Sequence, residues 1–343
     1  MKKFTTIVIV LLVLVCSISS LFAVSEAALL FLLISPHARA AGMGEAFVAI
    51  SDDVSAIYWN PAGLAFQQDK QFTTMYAKWL PQFNLNDLYY IFGAYRQSIE
   101  GLGTVAVNIT YLNLGEQNIT DETSPDVIGT FNSNEWAVSL GYATLLSENL
   151  GVGLNFRFIR SNLAQVQVGA QKGVGVANAF AVDLGVLKKK FLINRLSLGV
   201  NVSNIGPKIT YINASQADPI PTNFRAGLAY KLLDQQYNKI VIALDVNKLL
   251  VNRSTDGVDT VSKALISAWG NNDYILNVGG EYWYADLIAL RAGYNYDQAG
   301  NVKFLSFGAG LRYATYQFDF AYVAAPEGHP LSDTMRFSLM IGR

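Results

Sequence analysis

Tyr316-Gln317-Phe318-Asp319-Phe320-Ala321-Tyr322 is the stretch that decides the fold. Its aromatic residues alternate with Gln317, Asp319 and Ala321, the period of two that sends successive side chains to opposite faces of a β-strand. The same alternation runs through Leu305, Phe307, Ala309, Leu311 and Tyr313, set between Ser306, Gly308, Gly310 and Arg312. It also runs through Val105, Val107, Ile109 and Tyr111, and through 196–202, 224–230, 290–296 and 335–341. One face is large and apolar. The other is Gly, Ser, Asn, Asp or Arg. A soluble sandwich would turn the apolar face inward and carry Lys and Glu outside. A small, glycine-rich second face suits the lumen of a membrane barrel whose apolar face meets lipid.

From Gln71 to the end the pattern gives about fourteen strands, each near ten residues, the length that crosses a bilayer when tilted. The connections alternate in length. Short ones fall near Ser98–Gly101, Ser147–Asn149, Lys188–Asn194, Leu233–Tyr237, Ala285–Asp286 and Ala314. Longer ones fall near Asn113–Asn134, Ser161–Gly175, Ile205–Pro221, Leu249–Asp273, Asp297–Val302 and Ala324–Asp333. Only the first of that set, Leu80–Asn86, is short. Short turns at one end and long loops at the other are the outer-membrane arrangement. The expected fold is all-β: a transmembrane antiparallel β-barrel over 70–343, in the outer membrane of a Gram-negative-type bacterium.

Composition agrees. Charged residues are 15% of the 343, aromatics 12%, and 25 Lys and Arg balance 26 Asp and Glu. With no basic excess, a nucleic-acid partner is not expected. Lys2 and Lys3 precede an apolar run, Phe4–Val15, and Ser25-Glu26-Ala27 has small residues where a signal peptidase reads, so 1–27 reads as a signal peptide. The single cysteine, Cys16, lies within it. Val15 stands before it where a lipoprotein signal needs a small residue. The mature chain then has no disulfide and no thiolate metal site.

Residues 28–69 read differently. Ala38–Ala49 is small and has helical potential, Asp52 and Asp53 open another helical turn, and Asn60-Pro61-Ala62-Gly63 ends it. About forty residues are too few for an independent domain, so their natural place is inside or beneath the barrel as a hatch or plug. The two histidines, His37 and His329, stand alone near a terminus and in a loop, where histidines are usually solvated. No H-E-x-x-H, P-loop or helix-opening G-x-G-x-x-G occurs, so neither an enzyme nor a cofactor is expected.

Strand parity puts Arg225, Asp245, Arg291, Arg312, Asp319 and Arg336 in the lumen, with Arg157 and Asp183. Charges on the lipid side would each cost a few kcal/mol near the midplane. Inside, they either pair with one another, with water or with Asp52 and Asp53, or they line a charged pathway for a ligand.

The run Ala38-Arg39-Ala40-Ala41-Gly42-Met43-Gly44-Glu45-Ala46-Phe47-Val48-Ala49, with Asp52-Asp53 and Tyr58-Trp59-Asn60-Pro61-Ala62-Gly63-Leu64, resembles the N-terminal motif of the PorV/PorQ family. Those outer-membrane proteins are linked to type IX secretion and related to FadL-like barrels, which carry an Asn-Pro-Ala motif in an N-terminal hatch. Glu45 departs from the pattern, as does the ending Ile341-Gly342-Arg343, which lacks a terminal aromatic. The resemblance implies a fourteen-stranded barrel in which Asn60, Pro61 and Ala62 hold the hatch. Without it, the same residues read as a simple helix stop.

Two functions follow from the resemblance. One is a binding and shuttle component for secreted proteins with C-terminal sorting domains, partnered with the secretion translocon. The other is passive transport of hydrophobic small molecules. A purely structural envelope role is a third.

Overall fold

The computed structural model describes residues 27–83, 87–120, 126–164, 175–213, 217–254, 257–270, 273–297, 300, 302–326, 329 and 331–342. The expected signal peptide therefore lies, except for Ala27, outside the described residues, and so does Cys16.

Fourteen antiparallel strands close into a barrel. In chain order they are β1 (Lys70–Lys78), β2 (Leu88–Ile99), β3 (Gly103–Thr120), β4 (Val127–Ser147), β5 (Leu150–Ala164), β6 (Gly175–Lys188), β7 (Leu196–Ile205), β8 (Asn223–Asp234) and β9 (Asn238–Leu249). A two-stranded hairpin, β10 (Arg253–Ser254) and β11 (Gly257–Val258), and a helix, Val261–Ser267, intervene before β12 (Tyr274–Tyr284). Then come β13 (Ile288–Asp297), β14 (Val302–Tyr313), β15 (Tyr316–Ala324) and β16 (Thr334–Gly342). Each barrel strand pairs with its sequence neighbours, β9 pairs with β12, and β16 returns to β1 from Gln71↔Gly342 to Ala77↔Arg336.

The outer wall is apolar and exposed. Phe156, Leu184, Leu290, Leu305, Phe318 and Phe337 all point away from the lumen. Their rings pair across strands, as Phe156 does with Phe180 at 5.8 Å. Tyrosines gather at both rims. Tyr76, Tyr89 and Tyr111 line up on three adjacent strands at the long-loop end, with rings 6.1 Å apart. Tyr237, Tyr284, Tyr313 and Tyr316 are exposed at the short-turn end. Aromatic belts at both interfaces mark the lipid band, and the short turns mark the periplasmic end.

Two expected loops are corrected. The stretch Asn113–Asn134 is not a loose connection, because β3 and β4 run on for 18 and 21 residues as a ribbon that projects beyond its neighbours. At its base Gly115 takes φ 77°, and Asp87 accepts a hydrogen bond from the Glu116 N–H at 2.8 Å. Above the lipid no apolar face is required, so the sequence alternation lapses although the pairing continues. Likewise 249–273 contains the β10–β11 hairpin and the helix Val261–Ser267.

The segment Ala27–Asp69 lies inside the barrel. Its helix Ala38–Gly42 packs on β13 to β16, and its 3-10 turn Pro61–Phe66 packs on β4 to β6, so the segment bridges opposite walls. The helical potential of 38–49 is realised only to Gly42, because Gly44 and Glu45 adopt φ of 61° and 68°. His37 corrects another expectation: it is fully buried. Burial, opposed by nearby Asp53 and Asp319, holds its pKa below the ordinary value.

The glycine-rich lumen face now has a cause. A Cβ on Gly153 would lie 2.3 Å from the Pro61 carbonyl carbon, and one on Gly293 would lie 2.0 Å from the Gly44 nitrogen. Backbone meets backbone there, and only glycine admits it. Gly153→Ala is expected to destabilise the folded barrel by about 1–3 kcal/mol, as overpacking does. Gly280→Ala, whose Cβ would meet nothing closer than 3.9 Å, should be neutral. Thermal unfolding of both variants in detergent measures the difference.

Candidate functional site

The site is the contact between the hatch and the barrel wall, built around Arg39. Its guanidinium is buried and meets three carboxylates. Nη1 lies 2.6 Å from Asp52 and 2.8 Å from Asp53, while Nη2 and Nε reach Glu281 of β12 at 2.7 and 2.8 Å. Glu281 in turn takes Arg291 of β13 at 2.6 Å, and Arg291 pairs with Asp319 of β15 at 2.8 Å. One chain of alternating charge thus runs from the hatch into the wall. Asp52 and Asp53 find their partner in Arg39 of the hatch itself rather than in the lumen arginines.

Asp53 is fixed from several sides. Its Oδ1 accepts the Ser55 N–H, and its Oδ2 accepts Arg39. Burial pushes its pKa up, but His37, Arg39 and the Ser55 hydroxyl outweigh burial and hold it below the ordinary aspartate value. A carboxylate with a lowered pKa contributes stability that is present above its unfolded pKa and lost as pH falls through the folded one.

The Asn60-Pro61-Ala62-Gly63 turn closes the other side. Asn60 Nδ2 donates to the carbonyls of Val48 and of Val186 on β6, both at 3.0 Å, and its Oδ1 accepts the Ala62 N–H. The side chain therefore caps its own 3-10 turn while tying it to hatch and wall. Pro61 opens that turn, where its missing N–H costs nothing. Ala62 is fully buried, and a Cβ on Gly63 would lie 2.1 Å from the Ser51 carbonyl oxygen. The hatch is thereby folded back on itself.

Three of the remaining lumen charges, Asp245, Arg225 and Arg336, also meet the hatch. Asp245 accepts the N–H groups of Phe47 and Val48 at 2.7 and 2.8 Å. Arg225 lies over the Trp59 ring at 4.6 Å. Arg336 donates to the Ser35 carbonyl at 2.6 Å. Arg312 is set apart near the periplasmic end, over Trp283. Arg157 and Asp183 pair at 2.7 Å on β5 and β6, where Asp183 also accepts the Asn204 N–H.

Sequence reading missed Arg39 and Glu281 as site residues. A signal existed for Glu281, which shares the lumen parity of Asn277 and Gly279. For Arg39 there was only its place inside an alanine-rich run. Among the described residues no group of three or more His, Cys, Asp or Glu is placed to hold a metal.

Removing one partner of a buried ion pair costs about 3–5 kcal/mol, because the other charge is left unpaired. Arg39→Met and Glu281→Met are each expected to show losses of about that size on denaturation. The double variant should lose clearly less than the sum, the coupling a double-mutant cycle reads. Protease nicking of the hatch gives the pH dependence. The lowered pKa of Asp53 predicts that nicking stays slow through mild acid and rises only below the ordinary aspartate range.

A family model, that of the type IX secretion system protein PorV, matches residues 22–256. No curated protein matches the chain. Solved structures share its fold. The ΔS2S3 mutant of the TodX monoaromatic hydrocarbon channel is 13% identical, with a TM-score of 0.57 over 90% of this chain and 98% of that one. A Pseudomonas aeruginosa FadL homologue is 13% identical, with a TM-score of 0.54 over 89% and 98%. The Ralstonia pickettii toluene transporter TbuX is 12% identical, with a TM-score of 0.53 over 90% and 98%. Identities this low speak for the fold alone, a FadL-like barrel. Family and fold together place the protein in the outer membrane. The chain belongs to the family of the type IX secretion system protein PorV.

Proposed function

We propose that this barrel serves type IX secretion as a non-catalytic binding and shuttle component, receiving secreted proteins with C-terminal sorting domains at its extracellular end. The supporting observation is what fills the lumen. The chain's own apolar residues Leu29, Phe31 and Leu32 are buried in its extracellular half together with Ile209 and Ile220 of the β7–β8 connection. Ala28 donates to the Pro219 carbonyl there at 3.0 Å. A hydrophobic solute would have to displace this segment. The extracellular end, by contrast, carries the β3–β4 ribbon with Val127 and Ile128 exposed at 54% and 66%. Apolar side chains held in water on a projecting ribbon suit contact with a protein partner.

A second reading, passive transport of hydrophobic molecules, is in keeping with the fold shared with the toluene transporters TodX and TbuX and has one observation in its favour. β7 ends at Ile205, so above Val182 no described strand pairs with β6 on that side. The wall is notched there.

A pull-down of the tagged protein from native outer membranes separates the two. The secretion reading expects a large translocon barrel or secreted proteins sharing a C-terminal β-domain. It also expects their recovery to fall at least tenfold when the ribbon is shortened by joining Gly115 to Ser133. Recovery of the barrel alone with hydrophobic molecules bound overturns it in favour of transport.

A further inference from the structure

Below the Arg39 network, at the periplasmic mouth, the barrel encloses a cavity of about 740 Å³. Pockets of about 300–1,000 Å³ are the size that holds small ligands. The turn residues Ala285–Leu287 and Ala314–Thr315 form its rim, so it opens to the aqueous periplasm.

Arg312 of β14 lines this cavity and differs from the other arginines of the hatch network. Its Nε and Nη2 both donate to Gln317 Oε1, at 2.9 and 2.6 Å. Gln317 is held by its own donation to Asp319 at 2.8 Å. The guanidinium lies over the Trp283 ring, 4.4 Å from its centroid. Among the described residues no carboxylate contacts Arg312, and its Nη1 carries no partner. The group is therefore fixed on one edge and one face, with three N–H donors left over, two on Nη1 and one on Nη2. A preorganised, stacked guanidinium of this kind is suited to an oxyanion.

The surroundings narrow the class of anion. Asp52, with its side chain half exposed, and Asp234 line the same cavity. The two lysines of the lining are already paired, Lys239 with Asp286 at 2.6 Å and Lys231 with Asp234 at 3.4 Å. A dianion such as phosphate would meet these carboxylates with its second charge unmatched. A carboxylate brings one charge for one guanidinium, and Asp52 and Asp234, though paired with Arg39 and Lys231, keep lone pairs that can accept N–H groups of the same molecule. We propose that the periplasmic cavity is a binding site for a short peptide, taken by its terminal carboxylate on Arg312 against Trp283 and by its N–H groups on Asp52 and Asp234. This site is independent of the secretion reading, which concerns the opposite end of the barrel.

The test uses the full chain in lipid nanodiscs and two probes, N-dansyl-triglycine with a free carboxylate and its C-terminal amide, followed by fluorescence anisotropy. Saturable binding of the acid, at least tenfold tighter than the amide, is expected on the unaltered chain. Arg312→Gln should bring the acid down to the level of the amide, and inorganic phosphate should displace the acid no better than acetate does. Equal binding of acid and amide, no saturable binding of the acid, or acid binding untouched by Arg312→Gln each overturns the proposal. Displacement by phosphate at far lower concentration than acetate overturns the ligand class. Because acid and amide are compared on the unaltered chain, the test holds even if Arg312→Gln fails to fold.

Discussion

In lipid, every backbone N–H and C=O must find a partner within the protein, and one seam completes that requirement here: the pairing of β1 with β16. Closure gives every strand a lipid side and a lumen side, so the parity of a residue fixes its solvent. Fourteen strands enclose a lumen wider than their own side chains fill, since about eight is the number that such filling allows. The first forty-odd described residues, Ala27 to Asp69, take up that space. The lumen face is shaped by what it must accommodate: glycine where hatch backbone passes, as at Gly153 and Gly293, and charge where hatch charge must be matched, as at Glu281.

This division explains what was legible in the sequence. Alternation survives wherever lipid demands an apolar face, so strands such as 305–313 and 316–322 could be read from residue types alone. The inward direction of Arg291, Asp319 and Arg336 followed from the same parity. Above the membrane the demand ends, and the ribbon of β3 and β4 therefore passed for a loop. The Arg39–Glu281 pair was illegible for another reason. Its partners stand 242 residues apart, and their meeting depends on the path of a segment with no regular period of its own. His37 shows the same limit: its burial comes from the barrel around it, not from its neighbours in sequence.

The Asn60-Pro61-Ala62-Gly63 turn joins both levels. Local chemistry dictates a helix stop, since Pro61 removes a donor and Asn60 supplies a cap. The tertiary structure uses the same residues to anchor the stop, through Asn60 to Val186 and through Gly63 against Ser51. A helix stop and a hatch anchor are therefore one arrangement seen at two scales. The bare motif could not distinguish them, because the distinction lies in β6.

The lumen charges bear on function through their partners. A conducting path needs side chains that exchange partners readily with solvent or solute. Here Asp245 is spent on two hatch amides, Arg336 on a hatch carbonyl, Arg225 on the Trp59 ring, and Arg291 on Glu281 and Asp319. Displacing the hatch would strand several buried charges at once, each at a cost of several kcal/mol. The charges that in the sequence could pass for a ligand pathway are, in the structure, largely engaged by the hatch and by one another.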